Sequence, residues 1–279
     1  MVWQKIGRIY DPNLKKRHPK LETHSANPLP VHMKGDIFRV FYSARDSKKR
    51  SSVGAFDFDI KKLEIVNDHY EPFFVHGPKG TYYESGVSVG GCYSVGNITY
   101  MLFMGWQNEN GKHWRGDIGR LNLSEDLHLS LKDNTPLITI SDIDPVSLSY
   151  PFVVKKNSKY KMWYGSTLKW ESRNTEMVHV INSATSLDGD IWNLDGLAIP
   201  YHKNVCQAFS RPTVLVNNDE SYDMWFSFRS GLKDKYKIGH AHSLNSSDWE
   251  IDLSPKGLET SKVGWDSDMM EYPYAIDHG

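Results

Sequence analysis

Tyr160-Lys161-Met162-Trp163-Tyr164-Gly165 is the stretch on which the fold turns, because the chain writes it four times. The other copies are Phe38-Arg39-Val40-Phe41-Tyr42-Ser43, Tyr100-Met101-Leu102-Phe103-Met104-Gly105 and Tyr222-Asp223-Met224-Trp225-Phe226-Ser227. Their starts, at 38, 100, 160 and 222, lie 62, 60 and 62 residues apart. Aromatic and large apolar residues packed this densely, and ended by Gly or Ser, predict buried strands.

Two further elements keep the same period. Upstream come Ser25-Ala26-Asn27-Pro28, Glu84-Ser85-Gly86-Val87, Ser149-Tyr150-Pro151-Phe152, Ser210-Arg211-Pro212-Thr213 and Glu271-Tyr272-Pro273-Tyr274. Proline is tolerated at the first residue of a strand, so each should open one. Downstream come Val53-Gly54-Ala55-Phe56, Ile118-Gly119-Arg120-Leu121, Asn182-Ser183-Ala184-Thr185 and Ile238-Gly239-His240-Ala241. The last two lead through a turn to an outer strand carrying Trp192 or Trp249. A repeat of about 60 residues with four antiparallel strands predicts an all-β propeller. A sandwich would not repeat its sequence, and a β-helix repeats at a shorter period. Five strand openings predict five blades in a single domain spanning 1–279. The fifth blade should be incomplete at the C-terminus, or be closed by Trp3-Gln4-Lys5-Ile6-Gly7-Arg8.

Composition removes several function classes. Lys and Arg number 33 against 34 Asp and Glu, a net charge of −1, which argues against nucleic acid or an anionic membrane as partner. Mean hydropathy is −0.54, and no apolar run is long enough to span a bilayer. The N-terminus lacks the apolar core of a secretory signal, so a cytoplasmic location is expected. Cys92 and Cys206 should then be free thiols. No His or Cys cluster has metal-ligand spacing, so neither a metal nor another cofactor is expected. His240 and His242 alternate along one strand and are expected on opposite faces. Trp163, Trp192, Trp225 and Trp249 recur blade by blade and read as core.

Strand alternation puts the segments entering each first strand, and the turns between second and third strands, at one end of every blade. These segments are rich in carboxylates, guanidiniums and indoles, which suits a carbohydrate substrate. Glu84 and Glu271 occupy the position where other blades carry Ser149 or Ser210, and a carboxylate there must be used or paired. Asp46 is the third candidate for acid–base or nucleophilic work; alternatively it caps its turn, with Arg45 as its partner. Arg45 and Arg211 could hold a carboxylate or phosphate on the substrate, Trp106 and Trp170 could stack on sugar faces, and His24 and Arg229 are further substrate-binding candidates.

Phe41-Tyr42-Ser43-Ala44-Arg45-Asp46 with Arg50-Ser51, Lys161 to Tyr164, Ser210-Arg211-Pro212, and Gly264-Trp265-Asp266-Ser267 leading to Glu271-Tyr272-Pro273 carry a resemblance. The chain resembles the five-bladed propeller glycosidases of glycoside hydrolase families 32, 43, 62, 68 and 130. It looks closest to a bacterial group of glycosyl hydrolases associated with surface-polysaccharide genes. The resemblance covers nearly everything from about residue 20. It implies hydrolysis, or phosphorolysis, of a glycosidic bond by paired carboxylates. The chain departs from those families in two places. Their first-blade aspartate is met here by His24-Ser25-Ala26-Asn27, and their later-blade glutamate by Ser210-Arg211. That departure keeps open a second reading, a noncatalytic propeller that binds glycan or assists polysaccharide biosynthesis.

Overall fold

Each copy of the hexapeptide is the second strand of a four-stranded antiparallel meander. The computed structural model describes residues 2–108, 111, 113–172 and 174–278. The first meander is β1 (Thr23–Lys34), β2 (Ile37–Arg45), β3 (Ser51–Asp59) and β4 (Glu64–Asp68). The second is β5 (Gly86–Val95), β6 (Ile98–Gln107), β7 (Arg115–Leu123) and β8 (Leu129–Leu131). The third is β9 (Ser147–Lys156), β10 (Lys159–Lys169), β11 (Val178–Ser186) and β12 (Asn193–Leu197). The fourth is β13 (Ala208–Val216), β14 (Tyr222–Arg229), β15 (Lys237–Ser243) and β16 (Glu250–Asp252). No helix occurs among the described residues, so none is long and apolar enough to cross a membrane. Cys92 and Cys206 are both free thiols.

The chain divides into two compact units, Gly7–Ile138 and Met1–Ile6 with Thr139–Gly279. In the N-terminal unit a single parallel pair, Ser51 with Gly86, links the first two meanders. In the C-terminal unit His179 with Ala208 links the other two in the same way. The hexapeptide strands are buried on nearly every residue because both faces are covered. Ser43 on β2 accepts a hydrogen bond from the Val89 amide of the next meander at 3.1 Å. In the C-terminal unit Trp163, Phe209, Met224 and Phe226 share one core with Trp249. Trp225 is also buried, while Trp192 is only partly so. Truncating such a core aromatic to alanine costs about 3–5 kcal/mol. The fourth strands are short, as suits exposed edges.

The prolines do not open strands. Pro28, Pro151 and Pro212 lie inside β1, β9 and β13, each within a bulge. On β13 the pairing runs from Ser210–Ser227 straight to Thr213–Trp225, so Arg211 and Pro212 together oppose Phe226. On β9 Tyr150 and Pro151 oppose Tyr164. On β1 Asn27 and Pro28 oppose Tyr42. A bulge leaves the extra residue without a ladder partner, which is where a proline costs no hydrogen bond. In β5 the bulge falls later, at Gly90 and Gly91, which oppose Leu102.

The fifth blade is not built as expected. Among the described residues none from 253 to 278 is in a strand, and neither is any of 2–8. The N-terminal tail instead ties to the segment after β16. The Trp3 amide donates to the Lys256 carbonyl at 2.8 Å, and Lys5 Nζ pairs with Asp266 at 2.7 Å. Gly257, at φ +91°, permits this approach; a Cβ there would sit 2.1 Å from the Trp3 carbonyl oxygen. Residues 272–275 dock by side chain to backbone bonds rather than a ladder. The Tyr272 amide donates to Ser227 Oγ at 2.7 Å, and the Ala275 amide to Thr213 Oγ1 at 3.2 Å.

Candidate functional site

Two bulges and the segment around Pro273 build the C-terminal unit's site. The residue before each proline is left-handed: Tyr150 at φ 43°, Arg211 at φ 47° and Tyr272 at φ 62°. Bulky side chains rarely take that conformation, and a following proline disfavours helical backbone further, so this is local strain held by its surroundings. It brings the three side chains together. The Tyr150 hydroxyl donates to the Tyr272 hydroxyl at 3.3 Å, their rings 5.2 Å apart. The Arg211 side chain, 2% exposed, donates through Nε to the Pro273 carbonyl at 3.4 Å and lies over the Tyr274 ring. Burial lowers its pKa to about 10, against the pull of the Tyr274, Tyr150 and Tyr272 phenols. It therefore remains a cation at neutral pH.

Glu271 is next to this cluster. Its charge bears on two phenols. Burial, with Glu271 and Tyr150 adding and Arg229 opposing, pushes Tyr236 up to about 12. Burial, then Tyr150 and Glu271, pushes Tyr272 well above its ordinary value. Both phenols are thus neutral hydrogen-bond donors at physiological pH. Arg229, at the end of β14, lies over the Tyr236 ring and pairs with Glu176 at 2.6 Å. Glu271 also lines a largely apolar cavity of about 620 Å³ with Trp3, Trp225, Trp265, Met269 and Tyr274. Trp170 is half-buried just beyond β10, in the turn that leads to Glu176.

Beneath Tyr150, His179 fills the core. Its ring nitrogens lie 2.9 Å from Ser149 Oγ and 2.7 Å from Thr167 Oγ1. Burial, with Arg229 adding, drops its pKa to about 3, so the imidazole is neutral. Gly165 closes the hexapeptide here because a Cβ would meet Ser149 Oγ at 2.3 Å and His179 Nε2 at 2.4 Å. Asp144, fully buried, accepts from Tyr164 Oη and Asn182 Nδ2, each at 2.9 Å.

In the N-terminal unit the expected residues also gather at one end, with different partners. Asp46 is buried and pairs with Arg50, not Arg45. Its Oδ2 accepts from Arg50 Nε and Nη2 at 2.9 and 2.8 Å. Its Oδ1 accepts from the Lys48 and Arg50 amides, each at 2.9 Å. Glu84 is not in register with Ser149 and Ser210. Val87 pairs with Gly105 as Ser149 pairs with Gly165 and Ser210 with Ser227, so Glu84 falls three residues upstream. There it accepts from the Gly80 amide at 2.5 Å, closing a turn. Trp106 donates its indole N–H to Ser51 Oγ at 2.9 Å. His24 is exposed, at φ 69°, with Nδ1 2.9 Å from Thr23 Oγ1; burial and then Arg45 lower its pKa.

His240 and His242 share a face, since residues two apart on a strand point the same way. Both meet Asp223 Oδ1, at 2.7 and 3.1 Å. Among the described residues no group of three or more His, Cys, Asp or Glu is arranged to hold a metal ion. Tyr150, Tyr236 and Glu176 escaped the sequence reading. The residue-before-proline position was the signal for Tyr150; nothing in the repeat marks the other two.

The fold recurs in solved structures. A sucrose-6-phosphate hydrolase from Lactobacillus gasseri matches 86% of this chain at 12% identity, TM-score 0.65; this chain spans 50% of it. An alpha-L-arabinanase from Cellvibrio cellulosa matches 84% of this chain and 79% of its own at 12% identity, TM-score 0.59. A GH32 beta-fructofuranosidase from Bombyx mori matches 82% and 48% at 13% identity, TM-score 0.62. At such identities the likeness speaks for the fold alone, an all-β propeller. No family model matches the chain. Two Mycobacterium tuberculosis proteins, Uncharacterized protein MT1551 and Uncharacterized protein Rv1502, are 34% identical to it over 280 residues, 100% of this chain and 92% of theirs. The chain belongs to their family.

Proposed function

We propose that this protein acts on carbohydrate and cleaves a glycosidic bond, with Glu271 protonating the leaving oxygen. One observation carries the reading: Glu271 stands between neutral phenols and an indole-lined cavity. Glycoside cleavage needs a proton donor and a second carboxylate. Glu176, held by Arg229 against the same Tyr236, is the second carboxylate of this unit. Tyr236 and Tyr272 donate hydrogen bonds to sugar hydroxyls, and the indoles stack on ring faces. The glycosidase fold of the solved neighbours supports this class of substrate, and the two free thiols suit a reducing cytoplasm.

The test is release of reducing sugar, or of sugar phosphate when phosphate is supplied, from a panel of oligosaccharides. Glu271→Gln should lower turnover by at least ~100-fold, the scale of general acid–base assistance, without loss of folding. A wild-type chain that binds oligosaccharide yet releases nothing under either condition gives the second reading, a glycan-binding or biosynthesis-accessory protein. The turn-holding roles of Asp46 and Glu84 favour that second reading.

A further inference from the structure

The cavity beside Glu271 is poor in hydrogen-bonding side chains. Its lining lies wholly within the C-terminal unit. Trp225, Ile238 and Ala275, all buried, form one apolar patch of it. Trp3 meets Trp225 edge to face, with ring centroids 5.6 Å apart. Trp3, Trp265 and Met269 are 36, 61 and 39% exposed, so this part of the lining is wetted, and covering such surface is favourable. Among the described residues no Lys, Arg, His, Ser, Thr, Asn or Gln lines the cavity. Its side-chain donors are the indole N–H groups and the Tyr274 hydroxyl. Its charged groups are three carboxylates, and two of them are taken. Asp266 accepts from Lys5 Nζ at 2.7 Å and from Ser261 Oγ at 2.8 Å, and Asp268 pairs with Lys235 at 3.4 Å. The third is Glu271.

A sugar ring brings several hydroxyls, and each loses water on entry and needs a partner in the wall. This wall offers few. An anion would find no cation in the lining to replace its water. An uncharged hydrocarbon group has no hydrogen bonds to lose, and it covers the indole and methionine surface. The volume, about 620 Å³, is that of a small-molecule site. Because Glu271 lines the cavity, a group that fills it can be joined to the oxygen that Glu271 protonates. We propose that the cavity is a leaving-group subsite for an uncharged apolar alcohol, and that the substrate is a glycoside of such an alcohol. The bond between the anomeric carbon and that oxygen breaks, and the oxygen takes the Glu271 proton. Water supplies a hydroxyl to the carbon and a proton to Glu176. The leaving-group half of this assignment rests on the glycosidase reading; the apolar half does not.

The experiment is calorimetric titration of the full chain at neutral pH with 2-naphthol, 1-octanol, 2-naphthoate and glucose. Both alcohols should bind saturably, with the negative heat-capacity change of apolar burial, and the tighter of the two tells a ring from a chain. Glucose and 2-naphthoate should bind at least about tenfold more weakly than 2-naphthol, a difference of ~1.4 kcal/mol. Trp265→Ala and Met269→Gln, both made on exposed side chains, should each weaken the alcohols, and together by about tenfold or more. Alcohols that bind no more tightly than glucose, 2-naphthoate that binds as tightly as 2-naphthol, or alcohol affinity unchanged in both folded variants overturns the subsite. A chain that binds the alcohols in this pattern but cleaves no member of a panel of 2-naphthyl and octyl glycosides refutes the glycosidase reading and leaves the apolar subsite standing. One that cleaves oligosaccharides but binds neither alcohol does the reverse.

Discussion

Replacing Asp46 separates a turn-holding carboxylate from a reacting one. Its four accepted hydrogen bonds include a two-point contact with Arg50, whose side chain is 34% exposed against 5% for Asp46. Breaking a buried ion pair costs about 3–5 kcal/mol, but water can reach the released guanidinium, so the low end applies. Asp46→Ala should destabilise by about 3 kcal/mol, or about 6–12 °C in Tm at this chain length. Asp46→Asn keeps an acceptor for the two turn amides and should cost roughly 2 kcal/mol. Burial opposes ionisation of Asp46, yet the Arg50 and Lys48 bonds outweigh it and its pKa is lowered. A depressed carboxylate stabilises the fold above its unfolded value, about 3.9, and loses that contribution as pH falls through the folded value. The stability gap between wild type and Asp46→Asn should therefore be full at pH 7 and close below about pH 4. Thermal unfolding by circular dichroism against pH, with turnover measured in parallel, is the assay. An Asp46→Asn chain with wild-type Tm and turnover lowered ~100-fold would show that Asp46 reacts rather than braces.

Other substitutions probe the remaining assignments. Glu176→Gln should lower turnover on the scale of Glu271→Gln; full activity in that variant would move the second carboxylate elsewhere. The Tyr82 hydroxyl is buried with no hydrogen-bond partner among the described residues, so Tyr82→Phe should leave stability unchanged or raise it by up to ~1 kcal/mol; a clear loss in urea unfolding would reveal a partner. Gly54→Ala sets a Cβ 2.5 Å from the Tyr42 ring, which Arg17 bonds in place, and should cost about 1–3 kcal/mol. Burial pushes the Cys92 thiol up to about 12 and the Cys206 thiol upward too, so iodoacetamide at pH 8 should label both slowly until denaturant is added. Fast labelling of the native chain would contradict those raised values.

The repeat legible in the sequence is local and periodic, and its consequences were equally local. Each hexapeptide copy is a second strand, and each Gly-containing copy downstream a third, because a strand covered on both faces needs unbroken apolar and small residues. Three of the prolines mark bulges, which sequence alone could not distinguish from strand openings. A ladder's register depends on the partner strand, and only pairing shows that two residues oppose one. The left-handed Tyr150 and Arg211 sit in those bulges, and Tyr272, left-handed before Pro273 without a ladder, meets them there. Where the hydrogen bonds of two candidate carboxylates go was likewise decided in three dimensions. Glu84 stood beside Glu271 as a leading candidate and Asp46 as the third, but nearby amides hold Glu84 and Asp46, and Arg50 holds Asp46 as well. The fifth repeat carries its Pro273 motif, yet it binds to β13 and β14 through Thr213 and Ser227 hydroxyls instead of forming a strand. A motif states which groups are present; where their hydrogen bonds go depends on neighbours distant in sequence, and that only the tertiary structure sets.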